Sequence, residues 1–200
     1  MPIKAIESPI QQALARPHKR SIDDASFARA GVMVLVYPKD DALHMLLNKR
    51  SQHVDKHKGE IAFPGGAHEE SDATILDTAL RETWEEMGIR PDDVTVLGEL
   101  DAIVTISDFI VTPYVGTIPA GYDFKPNIEV AEVIEVPLTA LFDAANIRDD
   151  VRLVDGKTRR RATYAYDGHL IWGATAMMLE GFVQILSTID DREAPWKTPA

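Results

Sequence analysis

Glu82, Glu85 and Glu86 lie together near the end of the segment ILDTALRETWEEMG, residues 75 to 88. Carboxylates one helical turn apart repel by a few tenths of a kcal/mol, and the C-terminal end of a helix is already negative. No Lys or Arg follows them before Gly88 to relieve the charge. A hard divalent cation offers that relief, because Mg²⁺ takes oxygen ligands and commonly binds through a few carboxylates plus substrate phosphates. Glu82 and Glu86, one turn apart, supply such a pair, and Glu85 flanks it. Arg81 stands four residues before Glu85, where an ion pair would fix that carboxylate. The plainer reading is a solvated face of an amphipathic helix. The Pro64-Gly65-Gly66 turn upstream argues against it, since bare backbone N–H groups there can approach a ligand.

The elements that must position these groups follow from periodicity. At about 100° per residue, Leu76, Leu80, Thr83, Trp84 and Met87 form one stripe suited to a sheet, and the three glutamates fall on another side. Asp72 or Ser71 is placed to cap this helix and Gly88 to end it. Upstream, residues 31 to 38 and 42 to 50 predict a strand pair joined at Pro38-Lys-Asp-Asp41, and GEIAFPGG predicts a third strand ending in a turn. Further strands are expected at 94–103, 109–119 and 129–137, with a short helix at 138–144. Residues 160 to 173 predict a strand pair around Asp167-Gly168, and 174 to 189 a closing helix. Residues 10 to 15 suit a short leading helix, and NIRDDVRLVDGKTRR reads as a polar loop. Alternating strand and helix signals imply a mixed-sheet α/β or α+β sandwich.

Bulk properties narrow the partners. The 200 residues, 45% of them apolar, suffice for one sizeable core and predict a single domain. A formal net charge of −11 and a pI near 4.9 argue against a nucleic-acid polymer or an anionic membrane as main partner. An anionic small molecule would need a local basic patch, and Lys49, Arg50, Lys56 and Lys58 with His53 and His57 form the densest one. Solvated loop charges are the ordinary alternative for each. Arg159, Arg160 and Arg161 form a second basic cluster that suits a solvated strand edge. Trp172 and Tyr114 could stack on a base, although aromatics in apolar strands more often build core. Cysteine is absent, which removes thiolate ligands and Cys nucleophiles. No segment reads as a signal peptide or membrane span, so a cytoplasmic location is expected.

Arg81-Glu82-Thr83-Trp84-Glu85-Glu86-Met87-Gly88-Ile89 resembles the core of the Nudix box, in which a glycine, five residues, a glutamate and seven residues precede R-E-U-x-E-E-x-G-U, U being a bulky aliphatic. Ala67 and Ala73 stand where that pattern has Gly and Glu, and Thr83 stands for an aliphatic. Glu69, Glu70 and Asp72 are the nearby sources of the displaced negative charge. Residues 46 to 66, LLNKRSQHVDKHKGEIAFPGG, are similar to the signature of the coenzyme A pyrophosphatase branch of the family. Leu46, Leu47, Arg50, Ser51, Gly59, Phe63, Pro64, Gly65 and Gly66 match it, whereas Asn48, Gln52 and Asp55 depart from it.

The resemblance implies a Nudix-type mixed β-sheet sandwiched between helices over residues 1–200, with an N-terminal extension (1–27), a core (28–143) and C-terminal strands with a closing helix (144–200). It implies a diphosphatase using Mg²⁺ or Mn²⁺, with Glu82, Glu85 and Glu86 as ligands and Arg81 beside them. One of these glutamates, or a carboxylate such as Glu129 or Glu132, would serve as base. Arg50 and Lys56, with the Gly65 and Gly66 backbone, would bind a nucleoside diphosphate substrate. Coenzyme A would yield 3′,5′-ADP and 4′-phosphopantetheine. ADP-ribose and NADH are the competing substrates, and a Nudix-fold binding or sensor module that has lost turnover is the non-enzymatic alternative. Apolar strand edges would allow a homodimer.

Overall fold

The computed structural model describes residues 3–15, 22–54, 57–154 and 156–197. An apolar run dictates its centre. Strand β1 (Ala28–Lys39) is buried from Ala30 through Tyr37, as a continuous apolar sequence requires when both faces of a sheet are covered. Its neighbours are β2 (Ala42–Arg50), joined through a two-residue turn at Asp40 and Asp41, both with positive φ, and β7 (Phe109–Thr117), which runs parallel to it. The predicted strand pair is therefore present, its turn tightened to two aspartates. Strand β8 (Val130–Pro137) pairs with β2, and β5 (Thr95–Glu99) and β6 (Ile103–Val104) with β7. The predicted strand at 94–103 is thus two strands, interrupted at Leu100 and Ala102, which turn inward to the core.

The segment GEIAFPGG is divided in the same way. Residues Ile61–Ala62 (β3) pair with β2, whereas Gly65–Ala67 (β4) pair with β1, so Phe63 and Pro64 carry the chain from one neighbour to the other. This crossing sets the two glycines alongside the middle of the sheet.

Side-chain alternation along β1 separates two cores. Met33, Leu35 and Tyr37 point toward helix α2 (Ile75–Met87) with Ala79, Met87 and Ile89. Val32, Val34 and Val36 point the other way, toward α1 (Lys4–Leu14) and α3 (Gly173–Ser187), through Ile6, Ile10, Leu14, Leu179, Phe182 and Leu186. The sheet is sandwiched between helices, as expected. The leading helix starts six residues before the predicted 10–15 and takes Pro9 within it.

The expected polar loop at 146–160 is instead an antiparallel hairpin. Strands β9 (Ile147–Val154) and β10 (Lys157–Tyr166) pair from Ile147↔Tyr164 to Val154↔Lys157, and β11 (His169–Ile171) completes a three-stranded sheet through the predicted Asp167-Gly168 turn. Charged residues interleaved with Ile147, Val151 and Leu153 gave β9 the composition of a loop, while period-2 alternation carried the strand. The predicted short helix after β8 is two 3-10 turns, Leu138–Leu141 and Ala144–Asn146. Among the described residues no helix is long and apolar enough to cross a membrane.

Candidate active site

Helix α2 carries the acidic residues, and its local sequence explains where it begins and ends. Thr74, not Ser71 or Asp72, is the N-cap, accepting from the Asp77 N–H. Gly88 closes the other end at φ 70°, its N–H donating to the Trp84 carbonyl at 2.8 Å. The Lys125 and Asn127 amides satisfy the carbonyls of Met87 and Glu86, each at 2.9 Å, so the helix terminus is tied to the loop before β8.

The buried stripe differs from the predicted one. Thr78, Ala79, Thr83, Glu86 and Met87 are buried, Leu76 and Leu80 pack partly, and Trp84 is 55% exposed. The helix is turned away from its most apolar orientation, toward Ala79, Thr83 and Glu86. That rotation carries Trp84 out to solvent and Glu86 inward to 3% exposure.

What meets Glu86 is polar. Its Oε2 accepts from Asn48 Nδ2 at 2.9 Å and from the Gly65 N–H at 3.2 Å, and its Oε1 lies 3.5 Å from Arg50 Nη1. Desolvation outweighs these contacts and pushes the carboxyl up to about 7. Arg50 also approaches Glu129 at 3.9 Å, and Glu129 is fixed by its N–H to Asn127 Oδ1 and its carbonyl to the Ser51 N–H. Glu129, one of the two outlying carboxylates named from the sequence, thus stands beside the acidic helix. Glu132 faces away toward Lys49 (3.7 Å) and His169 (3.2 Å).

One turn earlier, Glu82 lies over strand β4. A Cβ on Gly66 would sit 2.5 Å from the Glu82 carboxyl carbon, so only glycine admits this approach. Burial raises the Glu82 carboxyl above its usual range, opposed by Arg81, with Glu85 and Glu129 adding to the rise. Gly31 plays a related part beneath: a Cβ there would sit 2.3 Å from the Ile75 carbonyl, so the helix backbone rests directly on β1.

Arg81 organises the opposite flank. Its Nε and Nη2 donate to the two oxygens of Asp72 at 2.9 and 3.0 Å, and its Nη1 reaches Glu82 at 3.0 Å and Glu85 at 3.2 Å. The predicted Arg81–Glu85 pair is present, but the bidentate Asp72 pair is the stronger contact. Asp72, 4% exposed at its side chain, also accepts from Thr78 Oγ1 and the Glu69 N–H, and the Arg81 guanidinium holds its carboxyl well below the usual range. Of the three acidic residues in that loop, Asp72 supplies the countercharge; Glu69 only brushes Arg81 at 4.0 Å.

Lys56 and Asp55 lie outside the described residues, and so do the side chains of Arg159 and Arg160. His57 pairs with Glu60 across 3.1 Å. Trp172 stands at the start of α3 and lines a groove with Arg148, Asp150, Thr163 and Leu170 from the three-stranded sheet, while Tyr114 packs partly into the core beneath α2. Asn48 is a site residue that sequence alone does not bring forward, since there it stands only as a departure from the signature.

Among the described residues no three Asp, Glu or His side chains already converge on a cation-sized point. Arg81 engages Glu82 and Glu85 instead. The donor set nevertheless fits a hard dication: it is all oxygen, and it presents two carboxylates on adjacent turns, Glu86 buried and Glu82 partly so. Glu82 and Glu86 would hold such an ion, with Glu85 joining by leaving Arg81.

Residues 28–153 match the family described as NUDIX domain. A protein named uncharacterized Nudix hydrolase NudL from Pectobacterium atrosepticum is 38% identical over 179 residues, 88% of this chain and 89% of that protein. Its namesake from Photorhabdus laumondii is 35% identical over 175 residues, 87% and 92% of the two chains. The solved structure of a Nudix hydrolase from M. smegmatis, RenU, is similar in fold: TM-score 0.55 at 18% identity, covering 82% of this chain and 88% of that one.

Proposed function

Since the chain belongs to the Nudix hydrolase family, whose members act on nucleoside diphosphate derivatives and generally need divalent metal ions, we propose that it cleaves the diphosphate of coenzyme A or acyl-coenzyme A with Mg²⁺ or Mn²⁺. The products are 3′,5′-ADP and 4′-phosphopantetheine or its acyl form. One observation carries this reading: Glu86 is buried, short of positive charge, and set between Arg50 and the Gly65 amide. Both neighbours belong to the segment whose signature resembles the coenzyme A branch.

The residues divide the work by position. A bound dication supplies charge neutralisation for the diphosphate and lowers the pKa of coordinated water. Glu82 and Glu86 would hold it from adjacent turns, and Asp72 keeps the Arg81 guanidinium in place beside Glu82. Arg50 makes only loose contacts, at 3.5 and 3.9 Å, to two carboxylates, which leaves its Nη groups donor capacity for a phosphate. Glu129, next to Arg50, stands where a carboxylate could take a proton from attacking water.

Hydrolysis of coenzyme A, ADP-ribose and NADH, each with Mg²⁺ and with Mn²⁺ and followed by phosphorus NMR, tests the proposal. Coenzyme A is expected to show the highest kcat/KM. A tenfold preference for ADP-ribose or NADH would reassign the substrate, and Mn²⁺ binding without turnover of any of them would favour a binding module. Arg50→Ala is expected to raise KM for coenzyme A more than for dephospho-coenzyme A; equal increases would remove Arg50 from the 3′-phosphate.

A further inference from the structure

We propose that Asn48 is a positioning residue that commits Glu86 to working through one oxygen, Oε1. The inference rests on the reading of Glu86 as part of the metal-dependent site. Asn48 is 1% exposed, yet only half of its amide is used: Nδ2 donates to Glu86 Oε2 at 2.9 Å, and Oδ1 is buried with no hydrogen-bond partner among the described residues. A buried amide carbonyl left unpaired is uncommon, and its cost must be offset locally. The carboxylate decides the orientation: turning the amide over would set Oδ1 against Oε2 and leave two donors where there is no acceptor. The Gly65 N–H reaches the same Oε2 at 3.2 Å. Two donors from two strands, β2 and β4, therefore converge on one oxygen and saturate its in-plane lone pairs. Oε1 keeps its lone pairs, and its nearest partner is Arg50 Nη1 at 3.5 Å, beyond a strong hydrogen bond. Because β2 alternates, Leu46, Asn48 and Arg50 project on the α2 side, whereas Met45 and Leu47 enter the opposite core. The mismatch with the coenzyme A signature thus falls at the position that steers the glutamate.

Outer residues that orient a ligating carboxylate typically change metal affinity or activity 10–100-fold when removed. The test is a double-mutant cycle of Asn48→Leu with Glu86→Gln, run on diphosphate hydrolysis and on Mn²⁺ binding to the protein alone, with a thermal melt on every variant. Asn48→Leu is expected to lower kcat 10–100-fold with KM within threefold and to weaken Mn²⁺ binding at least tenfold. In the Glu86→Gln background it should change neither rate nor Mn²⁺ affinity by more than twofold, since it acts through that carboxylate. Asn48→Asp, which keeps the shape and removes the donor, carries the same cycle should the leucine variant fail to fold. A folded Asn48 variant with kcat within threefold of the parent, or equal losses in both backgrounds, overturns the assignment. If Glu86→Gln itself leaves rate and Mn²⁺ affinity unchanged, the metal-site reading has failed instead.

Discussion

Two arginine–carboxylate clusters flank helix α2, and they are built to opposite specifications. At the Arg81 corner, Asp72 receives a bidentate guanidinium, a threonine hydroxyl and a backbone amide, all at 2.8–3.0 Å, and its carboxyl is held below the ordinary range. At the Arg50 corner the ion-pair distances are 3.5 and 3.9 Å, the guanidinium Nε has no hydrogen-bond partner among the described residues, and Glu86 is raised to about 7. One cluster is complete in itself and fixes a loop to a helix. The other is short of positive charge, the condition expected where a cation and a phosphate complete it.

The contrast can be broken at either end. The largest effect is expected from Glu86→Gln, a change that keeps shape and removes the charge: turnover should fall at least about 10³-fold, on the order of 4 kcal/mol of transition-state stabilisation, while the melting temperature of the metal-free protein at pH 8 holds or rises. Single-turnover rates and a melt on the same sample check both halves. Asp72→Ala should act the other way round, through the fold. Stripping the buried partner from Arg81 is expected to cost about 3 kcal/mol in urea unfolding, with activity lost as Glu82 and Glu85 lose their shared guanidinium.

The pH dependence of stability sharpens the same comparison. Glu86 has a folded pKa of about 7 against 4.5 unfolded, so the folded state holds the extra proton between those values. Its contribution to stability is fully present below about pH 4.5 and is lost as pH rises through 7, on the order of 3 kcal/mol. Asp72 has the opposite sign: its contribution is present above pH 3.8 and is lost below it. Urea titrations of metal-free protein from pH 3 to 8 should show both limbs, and Glu86→Gln should flatten the upper one alone. The smallest effect belongs to Trp84→Ala, which removes a side chain 55% exposed and should shift stability by no more than about 0.5 kcal/mol; a larger loss would mean that the helix is turned toward the more apolar stripe.

Trp84 and Glu86 also mark how far the site was legible in sequence. The three glutamates and Arg81 were readable because helical spacing alone groups them. The helix's rotation was not, because a helical wheel ranks positions by apolarity and cannot register that Asn48 and the Gly65 amide, 38 and 21 residues away, receive a carboxylate. The sheet between helices, the β1–β2 hairpin and the Gly88 cap were carried by local patterns and came through. The division of residues 59 to 67 between two neighbouring strands, and the conversion of 147–154 into a strand, depend on partners distant in sequence. In sequence Asp72 stands out as a charge and a cap candidate, whereas its pairing with Arg81 depends on a loop geometry that spacing does not encode.

At Gly31 the Ile75 carbonyl fills the space that any side chain would need, and the consequence reaches beyond packing. At its first turn the helix is seated on the strand by main chain, while Met33, Leu35, Ala79 and Met87 fill the layer farther along. A side chain at position 31 would lift the first turn of α2 off β1, and the carboxylates farther along the helix would be carried with it.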